Sequence, residues 1–414
     1  MFAINLLLTF VSSAIALGQA ATGGSFSFLT LNVAGLPQIL QNNEVPGDKT
    51  DNTARIGQKF AAYNFSVIHV QEDFNYHATL YANDDHLYRT ATSGGVPFGS
   101  GLNTISNYDW VDFTRIKWAT CSDASSNDCL TPKGFTLMRV QFGEGVYIDF
   151  YNVHADAGIE AGDETARTAN IQQVADYINT WSVGNAVVVA GDTNSRYTRA
   201  DDNIRVFETL NNLTDAWVQL ERDGVDPAQG SIDLLCDNPS LNNSCETVDK
   251  VLYRGSDAID LTATSFTYDS TNFLQANGSI LSDHNPVLVE FAWTLSNNFR
   301  QSNLWGGPHG TWFNDLPSIP ASAKVSNINI RGGARLDGVA LTLTSGATFS
   351  HGGTGGSPVS LTLADDEYWT QAQICEAQYN GDTRIFNIRI TTSAGNTLTA
   401  GTATSDCYTA VAPN

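Results

Sequence analysis

The sequence predicts a mixed α and β domain followed by a smaller all-β domain. Three observations carry this reading. From Ser25 to Phe291, β-branched and aromatic runs alternate with stretches of helical periodicity. After the polar, aperiodic stretch SNNFRQS (296–302), helical periodicity stops and short strand-like runs are punctuated by glycine, as in INIRGGARLDGVALTLTSGATFSHGGTGGSPVSLTL. A length of 414 residues exceeds what one domain needs and lets each of two bury its own core.

Taken in order, residues 1–20 (MFAINLLLTFVSSAIALGQA) read as a signal peptide, with an apolar run too short to span a bilayer and an Ala14-Ile15-Ala16 cleavage pattern. The first domain is expected over 21–295. Helices are predicted at TARIGQKFAAY, with Ile56, Phe60 and Tyr63 on one face, and at ETARTANIQQVADYINTW, with Ile171, Val174, Ile178 and Trp181 in register. Residues 296–302 read as a linker and 303–414 as the all-β domain. HGGTGG (351–356) has no helix after it to supply a dipole, so it reads as a turn and not a phosphate cradle.

Six cysteines pair as Cys121/Cys129, Cys236/Cys245 and Cys375/Cys407 if near neighbours join. With acceptor sequons at Asn64, Asn212, Asn242 and Asn277, they point to a secreted, extracellular glycoprotein. The net charge of −22 repels polyanions at long range and disfavours nonspecific nucleic-acid binding. A monomer is expected.

The chemistry sits in five polar clusters on strand-like runs: LTLNVAG (Asn32), VIHVQED (Glu72), IDFYNVHAD (His154), VVVAGDTNS (Asp192, Asn194) and SDHNP (Asp283, His284). Each run is expected to end in its polar group, which aligns the groups along one rim of a sheet where they can converge on a metal and a phosphate. Alternation places Asn152 and His154 on one strand face. Alone, each cluster is as well explained by turns; the ordered set is what carries weight.

That set, with DKVLY, resembles the endonuclease/exonuclease/phosphatase superfamily of metal-dependent phosphoesterases from about Phe26 to Phe291. The resemblance implies a DNase-I-like four-layer αββα sandwich. It makes Glu72 the main ligand of Mg²⁺ (or another divalent cation such as Mn²⁺), with Asn32 beside it and Asp283 next to the metal. His284 becomes the general base, oriented by Asp249; His154 and Asn194 stabilise the phosphoryl oxygens, Asn152 faces the phosphate, and Asp192 orients the nucleophile. Asp192 and His284 could exchange roles.

Asp128 and Lys133, five positions apart and followed by Gly134, resemble a pair in sphingomyelinases of this superfamily whose Lys faces the lipid phosphate. Trp110, Phe113 and Trp118 could meet a membrane surface, with core burial as the simpler expectation. The C-terminal runs, from NLWGGPHGTWFND onward, resemble jacalin-type lectins, which implies a β-prism of three Greek-key sheets and a carbohydrate partner. The family's GxxxD sugar-binding turn is not matched, since Gly401 and Asp406 stand one residue too far apart, so the expectation is either a truncated terminus or an incomplete prism without lectin activity. The resulting expectation is a secreted Mg²⁺-dependent phosphodiesterase of sphingomyelinase or phospholipase C type. The alternatives are a secreted DNase-type endonuclease and a non-catalytic glycan-binding surface protein.

Overall fold

The computed structural model describes residues 21–40, 44–125, 127–320 and 322–412; the expected signal peptide lies outside them. The first domain runs β1 (Gly23–Asn32), α1 (Lys49–Tyr63), β2 (Val67–Gln71), α2 (His77–Asn83), β3 (Tyr88–Arg89), β4 (Asn103–Ser106), β5 (Trp110–Lys117), β6 (Gly134–Gly143) and β7 (Val146–His154). It continues with α3 (Ala161–Trp181), β8 (Ala186–Asp192), α4 (Val206–Asn211), β9 (Thr214–Asp215), α5 (Ala216–Glu221), β10 (Asp249–Arg254), β11 (Ile259–Tyr268) and β12 (Val287–Leu295).

Two six-stranded sheets form, in the orders β11-β12-β1-β2-β4-β3 and β5-β6-β7-β8-β10-β9. Period-2 alternation decides which face each side chain takes. In β1, Phe26 and Phe28 pack toward the second sheet, their ring centroids 6.0 and 5.6 Å from Phe150, while Leu29 and Leu31 pack with Ile56 and Phe60 of α1. Helix α3 lays Ile171, Val174 and Ile178 on the second sheet. The layers are therefore helix, sheet, sheet, helix, as expected.

Helix α1 starts at Asp48, whose carboxylate accepts from the Thr50 and Asp51 amides, and stops at Asn64 in the left-handed region (φ 52°). Tyr63, expected on the buried face, is 43% exposed in the final turn. Trp118 is buried against Phe135 and Trp110 and Phe113 are half-buried, so these aromatics serve packing.

The C-terminal domain comprises β13 (Val325–Gly332), β14 (Leu336–Leu343), β15 (Thr348–Gly352), β16 (Ser357–Thr362), β17 (Trp369–Tyr379), β18 (Asp382–Thr392), β19 (Thr397–Gly401) and β20 (Asp406–Val411). Among the described residues these make two four-stranded antiparallel sheets, β15-β14-β13-β16 and β19-β18-β17-β20, and not three. They close on Ile328, Ile330, Ile388, Ile390 and Leu398. The HGGTGG segment joins β15 to β16, and Arg331 donates to the carbonyls of Thr354, Gly355 and Gly356, which confirms a turn. All three disulfides pair as near neighbours.

Strands of the second domain begin at Val325, and the described residues of 303–324 form no strand. Part of this segment is a strap on the first domain. Asn303 Oδ1 accepts from Gln141 Nε2, the Gly145 amide and Tyr147 Oη, Trp312 Nε1 donates to Val183 O, and the Arg139 guanidinium lies 3.7 Å over the Trp312 ring. Another part packs on the second domain, where Trp305 stacks on Tyr408 with ring centroids 3.8 Å apart and the Gly306 amide donates to Glu376 Oε2 at 2.8 Å.

Candidate active site

Strand direction gathers the polar clusters at one end of both sheets. β1 and β2 are parallel, with Asn32 opposite Gln71; β7 and β8 are parallel, with His154 opposite Asp192; antiparallel β10 places Asp249 opposite Asp192. SDHNP does not close a strand as expected: it precedes β12, whose antiparallel pairing with β1 (Thr30 opposite Val287) brings it to the same end. The rim therefore spans two sheets and uses strand starts as well as strand ends.

Two glycines of the motifs explain themselves. Gly191 has φ 137°, and a Cβ there would stand 2.2 Å from Val153 O, so only glycine lets β8 hold Asp192 beside His154. A Cβ on Gly35 would stand 2.2 Å from Glu72 O, so glycine lets the loop after β1 rest on Glu72. Glu72 itself occupies the left-handed region at φ 57°, an uncommon conformation for a residue with a side chain.

The cleft holds about 650 Å³ and is lined by Glu72, His154, Asp192, Asn194, Asp283, His284 and Lys133, with Leu36, Leu40, Phe74 and Leu130 on its walls. Asp192 is the hub. Its Oδ2 accepts from Asn32 Nδ2 at 3.1 Å and lies 3.5 Å from His154 Nε2 and 3.7 Å from His284 Nε2, while Oδ1 accepts the Asn194 amide at 3.0 Å. His284 Nδ1 is 2.8 Å from Asp249 Oδ2. Asp283 is exposed at the mouth, and Lys133 pairs with Asp128, whose other oxygen accepts the Ala157 amide at 2.7 Å.

Burial sets the direction of several pKa shifts. It pushes the Glu72 carboxyl up, opposed by Lys133, and pushes Asp192 up, opposed by His284. Burial alone would lower His284, but Asp249 and Asp192 outweigh it and hold the imidazole well above its usual range. Burial, with Lys133 and His284 adding, holds His154 well below that range. For Lys133, burial is outweighed by Asp128 and Glu72, so the ammonium sits above its ordinary value.

Whether a divalent cation fits is answered by Glu72. Its Oε2 is buried without a hydrogen-bond donor, beside the Asn32 amide and within the field of Asp283. An unsatisfied carboxylate oxygen among several carboxylates is where a hard cation binds well. Asp192, Asp249 and His284 also offer atoms within 4.8 Å of one another, but the Nδ1 of His284 is already engaged by Asp249.

Asn152 is the expected site residue that the structure does not bring to the cleft. It is fully buried: Nδ2 donates to Val70 O and Asn103 O, both at 3.0 Å, and Oδ1 accepts from Gln71 Nε2 at 2.7 Å. Alternation correctly put it on the face of His154, but that face looks between the sheets, and only the last residue of β7 reaches the opening. Lys49 was missed. It is 5% exposed, its Nζ donates to Ala34 O (3.0 Å) and Leu36 O (2.9 Å), and it interacts with Glu72 and Asp283. Nothing in its helix-start context distinguishes it from a surface lysine.

Fold and rim together define the class: the chain carries an endonuclease/exonuclease/phosphatase domain followed by a jacalin-like lectin domain. Residues 39–232 match the Endonuclease/Exonuclease/phosphatase family 2 model, and residues 302–413 match the Jacalin-like lectin domain model. In sequence the chain is similar to a sphingomyelinase of Mycobacterium bovis and its Mycobacterium tuberculosis counterparts, 37% identical over 281 residues, covering 66% of this chain and 54% of the relative. The chain thus spans about half the length of these curated relatives. Among solved structures it is similar to beta toxin from Staphylococcus aureus with bound magnesium ions (14% identity, TM-score 0.44, covering 64% of this chain and 99% of that one). It is also similar to D. rerio TDP2 complexed with single strand DNA product (16% identity, TM-score 0.46, covering 64% and 98%).

Proposed function

We propose that this chain is a divalent-metal-dependent phosphodiesterase that cleaves a phospholipid headgroup in the manner of a sphingomyelinase or phospholipase C. The observation that carries the reading is the convergence of Glu72, His154, Asp192, Asp249 and His284 on one cleft that also holds the paired Lys133. The sphingomyelinase relatives favour lipid over nucleic acid, and the charge of −22 agrees.

Glu72, with Asn32 and Asp283, would hold Mg²⁺ or Mn²⁺, which supplies charge stabilisation to the phosphoryl oxygens. Asp249 fixes His284 at Nδ1, and Nε2 takes the proton of the attacking water in the neutral form of the imidazole, which the two carboxylates push toward higher pH; the contribution is about 10²–10⁴-fold. His154, kept neutral by burial and by its cationic neighbours, donates one hydrogen bond to a phosphoryl oxygen. Asn194 gives one amide hydrogen to Ala155 O at 3.1 Å and has a second for the phosphate. Lys133, held by Asp128, sets a point charge in the cleft. Asp192 orients the water and both imidazoles; it would take over as base if His284 stayed protonated throughout turnover.

Secretion is supported by three disulfides and by the exposure of Asn64, Asn212, Asn242 and Asn277 at the four sequons. Among the described residues no helix is long and apolar enough to cross a membrane. The jacalin-like domain is proposed to deliver the enzyme to glycans. Mg²⁺-dependent hydrolysis of sphingomyelin vesicles beside plasmid DNA tests the reading. Phosphocholine release without nicking is expected; nicking alone would make this a nuclease, and activity on neither would leave a glycan-binding protein.

A further inference from the structure

A second concavity lies at the opposite end of the first domain from the cleft. Asp112, near the start of β5, stands opposite Arg139 of β6, while Lys117 at the other end of β5 stands opposite Gly134, next to the Lys133 of the cleft. Residues 304–313 cross over the Asp112 and Arg139 pair and enclose with it a pocket of about 390 Å³, a volume within the range of small-molecule sites. Its walls carry three half-buried indoles, each held by a partner. Trp181 stacks on Tyr177 with ring centroids 5.7 Å apart, Trp305 stacks on Tyr408 at 3.8 Å, and Trp312 lies under the Arg139 guanidinium at 3.7 Å. Rings fixed in this way lose little freedom when a ligand packs on their remaining surface.

Two polar groups in the same pocket are open to a ligand. Trp305 Nε1 is buried with no acceptor among the described residues, although a buried indole N–H ordinarily finds one. The Asp112 side chain is 22% exposed, and its cationic neighbour Arg139 stands 3.9 Å away, beyond hydrogen-bond reach and committed to Asp149 at 2.8 and 3.0 Å.

These features select a class of ligand. An anion would meet the Asp112 carboxylate. A cation on Trp312 would compete with the guanidinium already over that ring. A purely apolar ring would leave both Asp112 and the Trp305 N–H unpaired. What fits is a neutral ring with C–H faces for the indoles, hydroxyls to donate to Asp112 and an oxygen to accept from Trp305, which describes a pyranose.

We propose that this pocket is a saccharide-binding site, built jointly by the first domain and residues 304–313, in which a pyranose packs on the indoles and donates hydroxyl hydrogens to Asp112. The proposal rests on the glycan-delivery reading above and deepens it, placing the partner outside the strands of the jacalin-like domain. Because the pocket is remote from the cleft, a glycan held there leaves the phosphodiester site open.

The test titrates the full chain with methyl β-galactoside, methyl α-mannoside, methyl β-glucoside and N-acetylglucosamine, read by tryptophan fluorescence and by limited proteolysis between residues 296 and 324. At least one probe is expected to bind with a Kd of about 1 mM and to slow cleavage of the segment that covers the pocket. Asp112→Ala is expected to weaken that binding at least about tenfold. Trp305→Phe, which keeps a ring on Tyr408 and removes the N–H, is expected to weaken it about three- to tenfold. Both variants should remain folded in thermal unfolding and match the wild type on a small soluble phosphodiester. Sugar binding that neither variant weakens, without protection from proteolysis, would overturn the pocket and leave glycan delivery to the strands of the second domain. No binding of any probe would overturn the pocket and the glycan reading together. Binding of choline chloride but of no sugar, lost in Asp112→Ala, would overturn the saccharide assignment.

Discussion

Removing Lys133 separates a catalytic role from a structural one. Its ammonium is 11% exposed and paired with Asp128, whose side chain is 3% exposed. Lys133→Ala therefore does two things. It strands a buried carboxylate, which costs about 3 kcal/mol, at the low end for a broken buried pair because Lys133 keeps some solvent. For a domain of this size that corresponds to a fall in Tm of about 6–10 °C. It also removes a charged contact to phosphate worth about 1.5–3 kcal/mol, or about 10–150-fold in kcat/KM on lipid. Adding Asp128→Asn removes the stranded charge while keeping an oxygen for the Ala157 amide, so thermal stability should recover toward wild type. Lipid hydrolysis should stay low, and a small soluble phosphodiester should suffer less than vesicles. Recovery of lipid turnover together with stability in the double variant would refute a phosphate role for Lys133 and leave it a purely structural cation.

Other consequences follow from particular side chains. Burial pushes the Asp156 carboxyl up to about 7, so the folded state keeps a proton that the unfolded chain releases near 4, and stability falls as pH rises through that window. Asp156→Asn, whose Oδ1 can still accept the Ser122 amide, should flatten this slope in urea denaturation from pH 4 to 8; an unchanged slope would contradict it. Asn152→Ala should cost about 3 kcal/mol of stability by stranding Val70 O, Asn103 O and the Gln71 amide, with kcat/KM nearly unchanged in protein that remains folded; selective loss of activity would restore it to the site. Asn303→Ala removes the acceptor of three donors and should release the strap, read as faster limited proteolysis between residues 296 and 324.

Legibility followed locality. The αββα layering was readable because it rests on period-2 and period-3.6 patterns, as Phe26 and Phe28 against Leu29 and Leu31 illustrate. The cleft residues were readable because each polar group stands at a break in an apolar run, and Lys133 because its partner lies only five positions away. What escaped depends on long-range placement. Asn152 has the strand phase of His154 but lies two residues deeper, where the sheets close over it. Lys49 acquires its link to Glu72 only when the loop after β1 folds back over α1. The segment at 303–324 carries the composition of Gly-rich strands, and its role is set by long-range contacts, with Gly145, Tyr147 and Arg139 of the first domain and with Tyr408 and Glu376 of the second.

The most direct test of the catalytic assignment is the rate of phosphocholine release from sphingomyelin vesicles by wild type and by His284→Ala, at saturating Mg²⁺ and with matched thermal unfolding. His284 stands 19% exposed at the rim, so its loss should leave the fold intact while turnover falls by about 10²–10⁴-fold. A folded variant that retains most of the wild-type rate would contradict the assignment of His284 and Asp249 as the proton-transfer pair.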